Sequence, residues 1–513
     1  MTVESGGVLS DGFAVVGGTL NVRGGEVGRG LETANGAVIN ISGGTVGTSL
    51  NAFEGTVVNI SGGIVGGVVQ AFSESEFNIS GGSIGHNFEI LSGSRVNISG
   101  GTVRSVSARS GSEVNISGGN IIGSTLRADS GSLVKVSGGA FGSRFNAKSD
   151  SDVELIGGEF RLNGTPYNGT TITLANGDRF TGTLADGSAF IFYNRTAGDS
   201  LNSVTLTTPA APLPAADLTP IVVTTPIIGG PSGLRAGQTM SVEHGGVLGD
   251  NFAVVGATLN VRDGSVGEGL EAADGAVITI SGGSVGASLT AFTGAQVNIT
   301  GGTVGGDVVA FSGSVVNITG GAVGEDFDAL SGSVINITGG TVGEDFDAVA
   351  GSTVNLVGFD FMIDGVPLHN LEIGRPVTIE DRNVVLTGSL SDGSPSSFYL
   401  RTQVNTSQDH FSSDALLTIT LVESGIAGDF NNDGKVNAGD YTLWRDNLNS
   451  PAGTLLNDAD GGMIGSAQYD TWVANYGRIA SSGSVAVPEP TAAGLVIVGL
   501  LTGIRSSHPR RRN

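Results

Sequence analysis

The stretch VVNISGGIVGG, Val57 to Gly67, recurs in near-copies along the chain, and its fixed period restricts the fold more than any other feature. Marking the second glycine of each turn gives Gly25, Gly44, Gly63, Gly82, Gly101, Gly119, Gly139 and Gly158, with steps of 19, 19, 19, 19, 18, 20 and 19. A later series, Gly264, Gly283, Gly302, Gly321 and Gly340, steps by 19 throughout. A short fixed period means a stacked array in which no unit can bury its apolar face alone. Within a unit Val58 and Ile60 share a face with Asn59 between them, Val65 follows the turn, and a third short run resembles Leu50, Ala52 and Phe53. Alternation this short, broken by glycine, is strand and not helix. At about 3.3 Å per residue, 19 residues make a coil with three short sides. The chain is therefore read as all-β, a parallel β-solenoid with one unit per rung. Ile41, Ile60, Ile79 and Ile98 should form an inward ladder at a rung spacing of about 4.8 Å. The marker glycines should turn corners at positive φ.

Asn40, Asn59, Asn78, Asn97 and Asn115 should stack as an amide ladder. The same NIS and NIT triplets are formal glycosylation acceptors, although the repeat alone generates them.

The segment GGVLSDGFAVVGGTLNVRGG (Gly6 to Gly25) matches GGVLGDNFAVVGATLNVRDG (Gly245 to Gly264) at an offset of 239, so the chain is an internal duplication. A non-repeating segment follows each array: FRLNGTP at Phe160 matches FMIDGVP at Phe361, and TGTLADGS at Thr181 matches TGSLSDGS at Thr387. These read as β-rich caps that cover an otherwise exposed final rung. At the cap entrance the offset has fallen to 201, and 239 − 201 = 38, two rungs fewer in the second copy. The expected organisation is solenoid 1 at 1–159, cap 1 at 160–207, a Pro/Thr-rich linker at 208–233, solenoid 2 at 234–359, cap 2 at 360–424, a calcium module at 426–478, a linker at 479–486 and a tail at 487–513. The prolines of 208–233 favour an extended spacer, which would leave the two solenoids separable. Met1 aligns with Met240, which LRAGQT precedes, so copy one starts in mid-rung. The expectation is an upstream start carrying an export signal, and an N-terminal peptide beginning at Met1 in cellular protein would sink it.

Composition narrows the chemistry. There are 87 glycines, no cysteine, 14% charged residues and a net charge of −24. Lack of cysteine removes disulfides and thiolate sites, and the acidic balance disfavours nucleic acid while leaving divalent cations as partners. The segment DFNNDGKVNAGD, Asp429 to Asp440, has the spacing of an EF-hand-type loop. Asp429, Asn431, Asp433, the Lys435 carbonyl, Asn437 and Asp440 fall at positions 1, 3, 5, 7, 9 and 12, with Gly434 at the turn. Tyr441 and Trp444 follow at helical spacing as packing residues. A second copy, DADGGMIGSAQYDTW from Asp458, keeps Asp458 and Asp460, is one residue shorter, and has Gln468 at position 12.

The paired loops, DxNxDGxVNxxDYxxW with a degenerate partner, resemble a type I dockerin module. That resemblance implies two loop–helix units, bound Ca2+ and a cohesin-like partner. The family's recognition positions hold Ala438 and Gly439, then Ser466 and Ala467, in place of hydroxyl pairs. The end of the chain, VPEPTAAGLVIVGLLTGIRSSHPRRRN, joins Pro488, Glu489 and Pro490 to an apolar run from Ala492 to Ile504 and a basic end with Arg510, Arg511 and Arg512. This order resembles the PEP-CTERM sorting signal of planctomycete-type surface proteins. It implies export, temporary retention in the membrane by a C-terminal hydrophobic helix, recognition by an exosortase-type sorting protease, and attachment to the surface or release. A plain membrane anchor is the alternative.

Two charged clusters remain. On copy one the third strands stack Arg109, Asp129 and Lys148, with Arg127 and Arg144 nearby; a solvated ladder of alternating charge is the simpler account. On copy two Glu325, Asp326, Asp328, Glu344, Asp345 and Asp347 form an acidic face, expected to bind calcium or to meet the basic face of a neighbouring copy. The histidines, His86, His244, His369, His410 and His508, have no spacing suited to a metal or a nucleophile. The leading reading is an exported structural or adhesive protein acting through polysaccharide or self-association. The alternatives are a polysaccharide lyase or glycoside hydrolase, and a carbohydrate-binding scaffold.

Overall fold

The computed structural model describes residues 1–478 except 123–125, 143–144, 195–200, 228–232, 325, 344, 370, 404–407, 423–424, 452–453, 459 and 461. The chain divides into two compact units, Met1–His369 with Val377–Ile419, and Asn370–Pro376 with Thr420–Asn513. The first is a β-solenoid of parallel stacked coils. Val38–Val46 pairs in parallel with Val57–Val65, which pairs with Glu76–Ile90, each residue facing the one 19 positions on, as in Ile41, Ile60 and Ile79. Register breaks between Ile41 and Thr45 mark the corner that separates two sides of the rung, and Ser49–Ala52 makes the third. Val58, Ile60, Val65, Leu50 and Ala52 are all buried in one core that runs from Val3 to Leu206.

The outward Asn residues repeat the template in hydrogen bonds. Each Nδ2 donates to the Oδ1 one rung earlier, from Asn40 to Asn21 (2.8 Å) through Asn59, Asn78 and Asn97 to Asn115 on Asn97 (3.1 Å). In the second copy Asn317, Asn336 and Asn355 continue from Asn298 in the same way, and Thr418 Oγ1 closes that ladder on Asn355 (2.7 Å). At the corners Gly63 takes φ +77°, where a Cβ would lie 2.8 Å from the Gly44 carbonyl oxygen. Gly25, Gly158 and Gly264 depart from the expected positive φ; Gly158 is already extended in the cap, opposite Thr183.

Each array ends as the duplicated segments suggest. Gly157–Leu162 turns antiparallel to Arg179–Leu184, which pairs with Ala189–Tyr193; the second copy repeats this with Thr353–Ile363, Val385–Leu390 and Pro395–Tyr399. An aspartate in the DGS turn fastens each cap to the preceding glycine corner. Asp186 accepts from the Gly139 N–H (2.9 Å) and Asp392 from the Gly340 N–H (2.7 Å), while Ser188 and Ser394 bind the same carboxylates.

The proline-rich stretch is not simply a spacer. Ile221–Val223 pairs with Met240–Val242 as a strand of the second array, because IVV between prolines is a β-branched run that they merely bound. Nor do the two arrays stand apart. Cap one presents Ala189 and Ile191 to Ala253, Val255, Ala273 and Phe292, and Tyr193 packs on Phe311 with centroids 4.7 Å apart. Within this contact Arg179 and Asp274, each with 5% of its side chain exposed, form an ion pair, and Thr181 Oγ1 donates to Asp274 (2.6 Å). The expectation of separable solenoids therefore gives way to one compact unit: the outer face of cap one is apolar and gains by being covered.

The second unit holds two helices, α1 (Ala438–Asp446) and α2 (Ser466–Asn475), over a small core of Phe430, Leu455 and Ile464. Among the described residues no helix is long and apolar enough to cross a membrane. The expected hydrophobic helix of 487–513 lies outside the described residues, as do the sorting-signal positions Pro488, Glu489, Pro490, Arg510, Arg511 and Arg512.

Candidate functional site

The loop Asp429–Asp440 is folded around its own backbone. Buried Asp429 accepts from the N–H groups of Asp433 (3.1 Å) and Gly434 (2.8 Å), and Gly434 makes the sharp turn at φ +80°. Asn431 Oδ1 accepts from Asp433 N–H (2.9 Å), and Asp433 Oδ1 from Lys435 N–H (2.9 Å). Asn437 caps α1, accepting from Gly439 N–H (2.7 Å). Asp440, fully buried, accepts from Asn431 N–H (3.0 Å) and Asn437 N–H (2.8 Å). Burial pushes the Asp429 carboxyl above its usual value; the Gly434 and Asp433 N–H groups oppose this, and the charges of Asp440 and Asp433 add to it. An added cation relieves both the burial and the mutual repulsion.

Among the described residues no three His, Cys, Asp or Glu side chains are gathered as a metal cage. This loop draws half its donors from elsewhere: the Asn431 and Asn437 amides and the Lys435 carbonyl, which already receives Asn437 Nδ2 at 3.2 Å. A carboxylate oxygen that accepts one N–H retains a second lone pair. The residues present thus fit a hard cation of the Ca2+ class, which takes six to eight oxygens.

Loop two is satisfied differently. Gln468 donates to Asp458 (3.3 Å) and accepts from Gly465 N–H (2.7 Å), and Thr471 Oγ1 donates to Asp460 (2.6 Å). A neutral amide thus stands where loop one has Asp440. The two halves are tied by a reciprocal pair of bonds: Trp444 Nε1 donates to Gly465 O (2.8 Å) and Trp472 Nε1 to Asn437 O (2.8 Å). Each tryptophan holds the residue that caps the other helix, and Tyr441 and Tyr469 fill the space between them. Tyr441 and Trp444 are thus packing residues, as their spacing suggests.

These are the chain's only 2 tryptophans, so indole fluorescence reports this module alone. Calcium at a hundredfold excess over its dissociation constant is expected to stabilise the module by about 2.7 kcal/mol. Asp429→Ala should abolish the gain. Melting curves followed at the tryptophans that coincide in calcium and in chelator would contradict a calcium site here.

On copy one, Val106, Leu126 and Phe145 are in register, which brings together Arg109, Asp129 and Lys148 as expected; Arg144 lies outside the described residues. Among the described residues every charge in the cluster has a partner. Arg109 meets Glu89 (3.0 Å) and Asp129 (3.1 Å), and Asp129 also meets Arg127 (2.8 Å) and Lys148 (3.1 Å). The Gln70 amide, with Arg109, holds the Glu89 carboxyl below its usual range. Burial raises Asp129, but Arg127, Lys148 and Arg109 outweigh it and leave it lowered. Carboxylates held down in this way are poor general acids near neutral pH. A cleft of about 460 Å³ has Asn120, Asp186, Asp250 and Phe252 in its lining. Asp186 there is the cap fastener with a counterpart at Asp392, which gives it a structural task.

The acidic face of copy two is built by stacking. Phe327 and Phe346 point into the core, so Asp326 and Asp328 face outward in register with Asp345 and Asp347. Glu325 and Glu344 lie outside the described residues. Burial, then the charges of Asp328, Asp307 and Asp345, pushes Asp326 up to about 6 from 3.8. Burial, then Asp328, Asp345, Asp326 and Asp409, does the same to Asp347, also to about 6. A carboxyl raised on folding binds more protons in the native state between these two values. Stability in chelator should therefore increase as pH falls from above 6 towards 4, by on the order of 1 kcal/mol per group after screening. Asp326→Asn with Asp347→Asn should flatten that slope in thermal melts, and an unchanged slope would contradict the stacked-charge account.

No family model, curated protein or solved structure matches this chain, so its family rests on no such likeness.

Proposed function

We propose that this chain is an exported repeat protein of the cell surface or extracellular matrix. Its solenoid is structural or adhesive, with a dockerin-like calcium module at 426–478 and a PEP-CTERM-like tail at 487–513 for sorting. The observation that carries the structural role is the continuity of the outward ladders. From Asn21 to Asn115, and from Asn298 to Thr418, each rung's polar side chain is satisfied by the next rung, and the charged cluster around Asp129 is closed on itself. A surface of this kind offers long, regular faces, and on the first copy its clustered carboxylates are held down by neighbouring cations. Its partners would be polysaccharide or further copies, a cohesin-like protein at the calcium module, an exosortase-type protease at Pro488–Pro490, and the membrane through the tail.

Sedimentation of the full chain with insoluble polysaccharides, alongside ultracentrifugation of the chain alone, tests the adhesive role. Both are done in calcium. Retention on a polysaccharide or concentration-dependent assembly is expected, and a monomer that binds none of them would contradict the proposal.

A further inference from the structure

The acidic face has a terminus that repeat-reading does not reveal. After the last rung the chain makes the cap excursion and returns at His410–Phe411, which pairs in parallel with Asp347–Ala348. Phe411 extends the buried phenylalanine column, stacking on Phe346 with centroids 5.5 Å apart. His410 thereby falls on the outward column, in the order Asp328, Asp347, His410.

Two atoms in this column lack partners. His410 Nδ1 and Asp347 Oδ1 are both buried and neither makes a hydrogen bond, although they face each other at 3.9 Å. The His410 side chain is only 8% exposed, while that of Asp347 is 22% exposed, so the pair is reached from the Asp347 side. Asp409 beside them is committed elsewhere, accepting from the N–H groups of Phe346 (2.9 Å) and Tyr399 (2.8 Å). A buried imidazole nitrogen and a buried carboxylate oxygen left unpaired are each costly. Their separation is too long for a hydrogen bond. It is close to the roughly 3.4 Å spanned by two donors on a tetrahedral ion with bonds of about 2.1 Å.

We propose that His410 and Asp347, joined by Asp328 from the preceding rung, form a binding site for a borderline divalent cation of the Zn2+ class. The donor set decides the ion. Imidazole nitrogen with carboxylate oxygen suits Zn2+ and its neighbours, whereas Ca2+ and Mg2+ take oxygen donors. The three groups do not yet converge on one point. Binding therefore draws Asp347 and His410 together by about half an ångström and turns the Asp328 carboxylate across the roughly 4.8 Å between rungs. This site shares no residue with the calcium loop at Asp429–Asp440.

The test is calorimetric titration of the full chain with Zn2+ in excess Ca2+, together with the visible spectrum of added Co2+. One Zn2+ site that Ca2+ does not displace is expected. His410→Gln should weaken it at least tenfold and change the Co2+ spectrum. Asp328→Asn, an isosteric change at an outward position in register with Asp347, should weaken it similarly, and Asp429→Ala should leave it intact. Absence of Zn2+ binding, equal affinity in wild type, His410→Gln and Asp328→Asn, or displacement by millimolar Ca2+ would each overturn the assignment.

Discussion

Asp274→Ala is expected to lower the unfolding free energy of the paired arrays by about 3–5 kcal/mol, because it leaves the buried Arg179 guanidinium without its counter-charge. The substitution also removes the acceptor of Thr181 Oγ1 and loosens a contact in which Arg179 lies 5.8 Å from the centre of the Phe292 ring. Replacing both charged partners, as Arg179→Met with Asp274→Asn, should restore the part of the loss due to the stranded charge, since a buried pair is far less costly to exchange for neutral groups than to halve, and Asn suits the φ of +54° at this position. Guanidinium unfolding followed by far-ultraviolet circular dichroism gives the comparison. A loss below about 1 kcal/mol for Asp274→Ala would assign this pair the weight of a surface ion pair, and the close packing of the two arrays would then need another source.

Gly63→Ala should be similarly damaging for a different reason. The residue has φ +77°, and the new Cβ would meet the backbone of the preceding rung at Gly44 O (2.8 Å) and Gly43 C (2.9 Å). Gly36 is the control: it has φ +74° with open space around the same position. The left-handed backbone alone costs an L-residue about 1–2 kcal/mol. Gly36→Ala should show that cost and little else, whereas Gly63→Ala, which forces two rungs apart, should reach roughly 3–5 kcal/mol. Equal losses at the two sites would mean that rung spacing at this corner is softer than the stacked backbone implies.

The contrast between these residues shows where sequence reading succeeds. The glycine period is written locally and repeated, so Ile41, Ile60 and Ile79 can be placed in one column by counting, as can Asn40, Asn59 and Asn78. The caps were legible because the duplication printed them twice, in FRLNGTP and FMIDGVP, and the paired DGS aspartates Asp186 and Asp392 prove to do the same work. The turn of loop one at Gly434 and the helix cap at Asn437 were legible because their spacing is local, and the offset of 28 between Trp444 and Trp472 foreshadows their reciprocal bonds to the helix caps.

The misses share one feature: they depend on contacts between segments with no common period. Arg179 and Asp274 lie 95 residues apart, one opening a cap strand and the other in the turn after Leu270–Ala273. Ile221–Val223 is short and flanked by prolines, so composition favoured a spacer where backbone pairing with Met240–Val242 prevailed. His410 joins the acidic column only because the chain returns to the stack after an excursion of more than sixty residues, a distance over which side-chain alternation carries no information.

The central claim, that the stacked rungs form a structural surface and not an active site, is tested most directly by incubating the full chain with a panel of polysaccharides in calcium and measuring newly formed chain ends. The account predicts none with any substrate. New ends that disappear in Arg109→Ala or Lys148→Ala would contradict it and make the ladder around Asp129 catalytic.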